Sequence, residues 1–205
     1  MKERLKPRKS PQQERSRRTR EEILEATAHL LNRHPLEEVS TNHIAKKTGI
    51  SIGTLYKYYP NKDSILADLS LMYMQQDAEL FETVFEKYAD RGLDELLDAL
   101  VGSLMQIHRD NARVRGVVYQ NLERLKLVSQ AQNARERIQA KGTSVIPSLD
   151  PELTWVALTA ISSAIFSISQ LPRHLQKWQF AQDLCRYALE LLIIRSSVNS
   201  TVRTA

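Results

Sequence analysis

The chain has a single cysteine, Cys185, set in an apolar helical pattern, so it can build neither an intramolecular disulfide nor a cysteine-rich metal site. Glycine is scarce: Gly49, Gly53, Gly92, Gly102, Gly116 and Gly142 are the only six in 205 residues. A protein of many tight β-turns needs more than that, no stretch reads as a run of alternating strands, and no glycine-rich phosphate loop is present. The first twenty residues hold only two large apolar side chains, Met1 and Leu5, too few for a secretory signal, so a cytoplasmic protein is expected. The most apolar stretch, residues 153–171, carries Thr154, Thr159, several serines and Gln170 between Pro151 and Pro172, which suits a buried interface helix rather than a membrane span. His29, His34, His43, His108 and His174 are scattered rather than spaced as ligands, so no metal is expected. With no nucleophile–base pair visible and no activating partner for Cys185, the residues argue against an enzyme, and no cofactor is implied.

What is present is a globular composition, 42% hydrophobic and 26% charged, with an uneven charge distribution. Residues 1–62 hold 14 Lys/Arg against 7 Asp/Glu, whereas residues 63–205 hold 15 against 17, so the net charge of +5 comes from the N-terminal part. Within that part the first twenty residues carry 9 Lys/Arg against Glu3 and Glu14, while residues 21–62 balance at 5 against 5. The basic arm is either a solvated tail or a minor-groove contact. Specific recognition beyond it must come from geometry.

Helical periodicity runs through the whole chain. Ser10-Pro11-Gln12-Gln13 offers one helix start and residues 19–22 a second; either leads into Ile23, Leu24, Thr27, Leu30 and Leu31 on one face, ended by His34-Pro35. Ser40 or Thr41 caps a helix of about two turns carrying Ile44 and Ala45, and Gly49 stands where a left-handed C-terminal residue is needed. Ser51 caps a third short helix that Pro60 stops, and Asn61 caps a long fourth helix through Ile65, Leu69, Phe81 and Phe85, which reads as a connector. Beyond Gly92 the pattern predicts a helix over 93–108, one or two more over 114–127, a polar segment over 129–141, a loop over 142–151, two apolar helices over 152–171 and 175–194, and a frayed tail. The expected fold is all-α, with a helix-turn-helix domain over residues 1–62 and a larger helical domain over 63–205.

Two short helices joined by a glycine turn have helix-turn-helix geometry. Small Ala45 allows a close crossing, Gly49 permits the turn, and Ile50 and Leu55 fill the space beneath the second helix. From that scaffold Ser51, Thr54, Tyr56, Lys57 and Tyr58 project hydroxyls, aromatic faces and one charge, chemistry suited to phosphates and base edges in a major groove. Lys62 sits in the first turn of a helix, where the dipole disfavours a cation, and neutralising a phosphate would give it a reason to be there. The run from Thr41 to Asp63, T-x-x-I-A-x-x-x-G-I-S-x-G-T-L-Y-x-Y-Y-x-N-K-D, placed behind one amphipathic helix, resembles the DNA-binding domain of the TetR family over roughly residues 20–68. That resemblance implies DNA contacts from Thr41, Ser51, Gly53, Thr54, Tyr56, Tyr58 and Lys62, with Lys57 a further candidate.

In the larger domain, Trp155, Leu158, Ile161, Ile165 and Ile168 stripe one helix and Trp178, Ala181, Leu184, Ala188, Leu191 and Leu192 the other. An intramolecular core would explain each stripe. The small residues Ala157, Ala160, Ser163, Ala164 and Ser167 let the first helix pack on more than one neighbour, and with the resemblance this favours a two-fold four-helix bundle, a homodimer. A palindrome read by two recognition helices about 34–36 Å apart, or a multiple, requires such a dimer. Phe81, Phe85, Met105, His108, Tyr119, Gln120 and Arg124 are candidates for a small-molecule pocket, apolar walls with a few polar groups. The function expected is a ligand-responsive repressor of palindromic operator DNA. A constitutive DNA-binding protein and an activator stay open as alternatives.

Overall fold

The computed structural model describes residues 11–146, 150, 152, 167–168 and 178–203. The protein is all-α, and its chain divides into two compact units, Met1–Leu69 and Ser70–Ala205.

The first unit contains α1 (Pro11–Leu31), α2 (Thr41–Thr48), α3 (Ile52–Tyr58) and the start of α4 (Lys62–Tyr88). Of the two starts open to α1, the earlier one is used. The boundaries that follow are set by side chains already legible in the sequence. Ser40 accepts the His43 N–H at 3.2 Å and Ser51 the Thr54 N–H at 3.0 Å, each satisfying an orphan donor of a helix N-terminus. Asn61 and Ser64 cap α4 reciprocally, the Ser64 N–H donating to Asn61 Oδ1 at 2.8 Å and the Asn61 N–H to Ser64 Oγ at 3.3 Å. Gly49 ends α2 at φ 76°, and its N–H turns back to the carbonyls of Ala45 and Lys46. An added Cβ there would meet nothing within 4 Å, so Gly49→Ala should cost only the left-handed backbone penalty, about 1–2 kcal/mol, measurable by urea denaturation. Ile23, Leu31, Ile44, Leu55, Ile65 and Leu69 are fully buried and form the centre of this unit.

The second unit holds the rest of α4, with α5 (Leu93–Gln120), α6 (Val128–Val145) and α7 (Trp178–Arg203). Several boundaries differ from the expected ones. The break expected between residues 108 and 114 is a kink inside α5 at Asn111, φ −138° and ψ 25°, and the chain stays helical through Gln120. The polar segment over 129–141 is a helix, held to α4 by Arg137, which grips Glu82 at 2.9 and 3.1 Å, and by Lys141, which reaches Glu86 at 2.8 Å. That helix continues past the expected loop start because Gly142 lies buried against Phe85, whose ring would sit 3.1 Å from an added Cβ. The tail is helical to Arg203 rather than frayed from Ser196.

Apolar side chains form two clusters. Val84, Phe85, Leu96 and Leu100 form one, and Leu97, Val101, Leu104, Met105, Ala181, Cys185 and Leu189 the other. Phe81 packs against both. Arg186 secures α7 to α5, its guanidinium bonded to Asp94 at 2.9 Å and to Asp98.

Candidate nucleic-acid interface and helical-unit sites

Helix α3 has one buried side chain, Leu55, while Ser51, Ile52, Gly53, Tyr56 and Lys57 are exposed and Thr54 and Tyr58 half-buried. A seven-residue helix with a single internal anchor is held by its surroundings: Ile44 and Ala45 beneath it on α2, and Tyr59, buried at its C-terminal end. The exposed face is hydroxyl-rich and pre-ordered. Ser51 Oγ lies 2.9 Å from Thr54 Oγ1, and Thr41 Oγ1, from the start of α2, lies 3.2 Å from the Tyr56 hydroxyl. At Gly53 the nearest atom to an added Cβ is Ser51 Oγ at 3.9 Å, so the backbone there is open to close approach. Lys46, Lys47 and Lys57 are exposed in the same unit.

Lys62 is placed differently from its neighbours in the motif. Its ammonium donates to the Leu36 carbonyl at 2.8 Å, fastening the first turn of α4 to the turn between α1 and α2. Three cations of the basic arm, carried on α1, are paired: Arg17 with Glu14 at 2.7 Å, Arg18 with Glu22 at 3.1 Å, and Arg20 with Asp68. Exposed pairs of the first two kinds add little stability, but they reduce the positive charge α1 can offer a polyanion.

Asp68, on α4, has no counterpart among the expected site residues. It accepts Arg20 Nε at 2.6 Å and a second guanidinium N–H on its other oxygen, and the Tyr59 hydroxyl donates to it at 2.5 Å. Burial pushes the Asp68 carboxyl up, but the bonds from Arg20 and Tyr59 outweigh it and hold it below its ordinary value. Burial and the neighbouring carboxylate push the Tyr59 phenol up. Because the folded-state value of Asp68 is depressed, its contribution to stability is full above the unfolded value, roughly 4, and is lost as pH falls through the folded value. Thermal melts of the wild type and Asp68→Asn should therefore differ by a constant amount from pH 7 to 5 and converge below about pH 4.

The candidates in the second unit do not gather at one place. Phe85 and Met105 are buried in separate clusters, Phe81 bridges them, and Gln120 and Arg124 are exposed, Arg124 bonding Asn121 at 2.8 Å. His108 lies on α5, its side chain outside the described residues. Tyr119 exposes part of its ring but donates its hydroxyl to Asp77 Oδ2 at 3.2 Å. The same oxygen accepts Arg115, whose guanidinium lies 4.7 Å from the Tyr73 ring centroid. Asp77 and Arg115 are 8% and 5% exposed, a buried ion pair that sequence reasoning passed over. The available signal was two ionisable residues on otherwise apolar helical faces, Asp77 beside Met74 and Ala78, and Arg115 beside Val114 and Val118.

Of the residues expected at a dimer interface, Trp155, Leu158, Ile161 and Ile165 lie outside the described residues, and Ile168 packs against the cluster containing Met105. Ala181 and Ala188 face that same cluster, whereas Leu184 and Leu191 are exposed. They belong to a stripe the sequence reading did not separate: Phe180, Leu184, Tyr187, Leu191 and Ile194, spaced 4, 3, 4 and 3 along α7 and between 47% and 66% exposed. Cys185 is buried behind it, its thiol pushed up to about 11 by burial and so protonated at neutral pH. Among the described residues no three His, Cys, Asp or Glu side chains could hold a metal ion, and no helix is long and apolar enough to cross a membrane.

A short exposed helix set on a glycine-turned partner, in an all-α chain with a separate helical unit, defines a helix-turn-helix protein. Residues 23–69 match the family described as "Bacterial regulatory proteins, tetR family", so this head is similar to the DNA-binding domain of that family. An HTH-type transcriptional regulator of Staphylococcus aureus (strain USA300) is 31% identical over 98 residues, 47% of this chain and 51% of its own length. The chain thus spans about half the length of the curated relatives it matches. Two solved structures share the fold. A protein of Mesorhizobium loti assigned to the TetR family covers 88% of this chain and 97% of its own at 20% identity and a TM-score of 0.67. The TetR-like regulator LfrR of Mycobacterium smegmatis, in complex with proflavine, covers 85% and 96% at 21% identity and a TM-score of 0.57.

Proposed function

We propose that the protein is a cytoplasmic, homodimeric transcriptional repressor that reads a palindromic operator with α3 and releases it when a small molecule binds the helical unit. The observation that carries this reading is α3 with its cap, where Ser51, Tyr56 and Lys57 are exposed and Thr54 and Tyr58 half-buried on a helix whose only buried side chain is Leu55. Thr41, Ser51, Gly53, Thr54, Tyr56, Lys57 and Tyr58 are the proposed contacts. Lys62 acts first through the Leu36 carbonyl, which uses one of its three donors and holds the ammonium at the edge of the head. The α7 stripe supports the dimer, since five large apolar side chains at heptad-like spacing gain most from a second copy of themselves. The proflavine held by LfrR supports a small-molecule effector in a related fold. Release requires only that the effector bind more tightly to the state in which the two copies of α3 miss their half-sites, a coupling on the order of 1–3 kcal/mol.

The test uses a duplex enriched by the full-length protein from a randomised pool. Tyr56→Ala should weaken binding to it by about tenfold or more, as expected for loss of a base-edge or backbone contact of 1–3 kcal/mol. Lys57→Ala, which removes one cation from each half of the proposed dimer, should weaken binding to all duplexes alike and reduce the slope of log K against log salt by about 1.8. Both variants should elute as the wild type does, because both side chains are exposed. Unchanged affinity in a gel-shift titration of both would remove α3 from the interface.

A further inference from the structure

α3 is too short to hold its own orientation, and the polar bonds at its C-terminal end come from elsewhere. Tyr59 closes α3 as its C-terminal cap, its N–H returning to the Leu55 carbonyl and its ring buried. Its hydroxyl donates to Asp68, two turns into α4, and the same carboxylate takes both arms of the Arg20 guanidinium from α1. One side chain on α4 thus ties the end of α3 to the N-terminal half of α1. The Asp68 side chain is largely buried while that of Arg20 is half exposed, so the Tyr59 bond is the better shielded of the two, and the planar fork of Arg20 on a planar carboxylate fixes direction as well as distance. None of the three groups belongs to the exposed face of Ser51, Gly53, Tyr56 and Lys57.

We infer that Asp68 is a positioning residue for recognition, setting through the Tyr59 hydroxyl and Arg20 the angle at which α3 is presented to DNA. This rests on the reading of α3 as the DNA-contacting helix. Loss of one bond lets α3 pivot about Leu55, and misplacing a set of base-edge contacts weakens the specific site while leaving phosphate attraction as it was. The positioning role is therefore distinguishable both from a DNA contact and from a general stabilising one.

The probes are the enriched duplex and a random-sequence duplex of equal length, titrated against full-length wild type, Tyr59→Phe and Asp68→Asn. Tyr59→Phe removes only the hydroxyl and leaves the ring in the core. It should lower affinity for the enriched duplex by about five- to tenfold, leave the random duplex within twofold, and leave the salt slope unchanged, since no phosphate contact is lost. Asp68→Asn, which also weakens the Arg20 bonds, should fall further on the same duplex. Lowering the pH toward 5 should not reproduce the effect in the wild type, because Asp68 stays ionised there. Equal losses on both duplexes, or an enriched-duplex affinity within twofold of wild type for Tyr59→Phe, would overturn the inference while leaving the DNA-binding reading intact. Failure of the wild type to enrich any duplex would overturn both.

Discussion

On the proposed dimer, replacing Leu184 and Leu191 together with glutamate should give a folded monomer that no longer binds the enriched duplex at concentrations where the wild type is saturated. Both side chains stand on the exposed face of α7 with Phe180, Tyr187 and Ile194, opposite Ala181, Cys185 and Leu189, which are buried in the chain's own core. Fully removing a leucine from water is worth about 1.5–3 kcal/mol, and a two-fold interface counts each substitution twice. Leu184 is 47% and Leu191 59% exposed, so about half of that value is available per side chain; four of them contribute roughly 3–6 kcal/mol, before any penalty for burying carboxylates, which corresponds to a rise of about a hundredfold or more in the dimer dissociation constant. The core face is untouched, so helical content and melting should change little. Analytical ultracentrifugation reads the mass, and a titration against the enriched duplex reads the loss of paired half-sites. A variant that stays dimeric would assign the stripe to another role.

The same helix shows why the sequence was legible in some places and not in others. At the head, each boundary is written by a residue with one local job: Ser40 and Ser51 accept N–H groups, Gly49 adopts the left-handed backbone, and Asn61 caps α4. Such signals act over three or four residues and need no tertiary context. α7 carries two apolar stripes of similar hydropathy, and periodicity alone merges them, so Ala181, Leu184, Ala188 and Leu191 read as one face. Which stripe meets the chain's own α5 is decided by size, because alanine and cysteine allow close packing and Phe180 and Tyr187 do not. At Gly142 a helix-weakening residue sits inside α6 since its missing Cβ makes room for Phe85, a partner 57 positions away that no local rule can see. Asp68, and the partner of Lys62, were hidden likewise: Tyr59, Arg20 and Leu36 are brought to them only by the folded head.

Asp77→Ala should lower the unfolding free energy by about 3–5 kcal/mol, the largest loss from a single substitution outside the apolar core. Without Asp77 the buried Arg115 guanidinium loses its carboxylate and keeps only weaker company, the face of the Tyr73 ring and the neighbouring Tyr119 hydroxyl. Asp77 Oδ2 takes both Arg115 and Tyr119, while among the described residues Asp77 Oδ1 and Arg115 Nε have no hydrogen-bond partner. An arrangement of that kind contributes little net stability while both charges are present, since the cost of removing two ions from water offsets their attraction. The double variant Asp77→Leu with Arg115→Met removes both charges at similar volume and should recover most of the loss, coming within about 1–2 kcal/mol of wild type by urea denaturation. Arg115→Met alone should be nearly as harmful as Asp77→Ala, because it strands the carboxylate, though Tyr119 still donates to that group and softens the effect. A double-mutant cycle that closes additively would mean the two charges are each solvated independently, contrary to their burial between α4 and α5. A large positive coupling with a near-neutral double variant would show that the pair selects how these two helices register against each other, rather than how strongly the unit is held together.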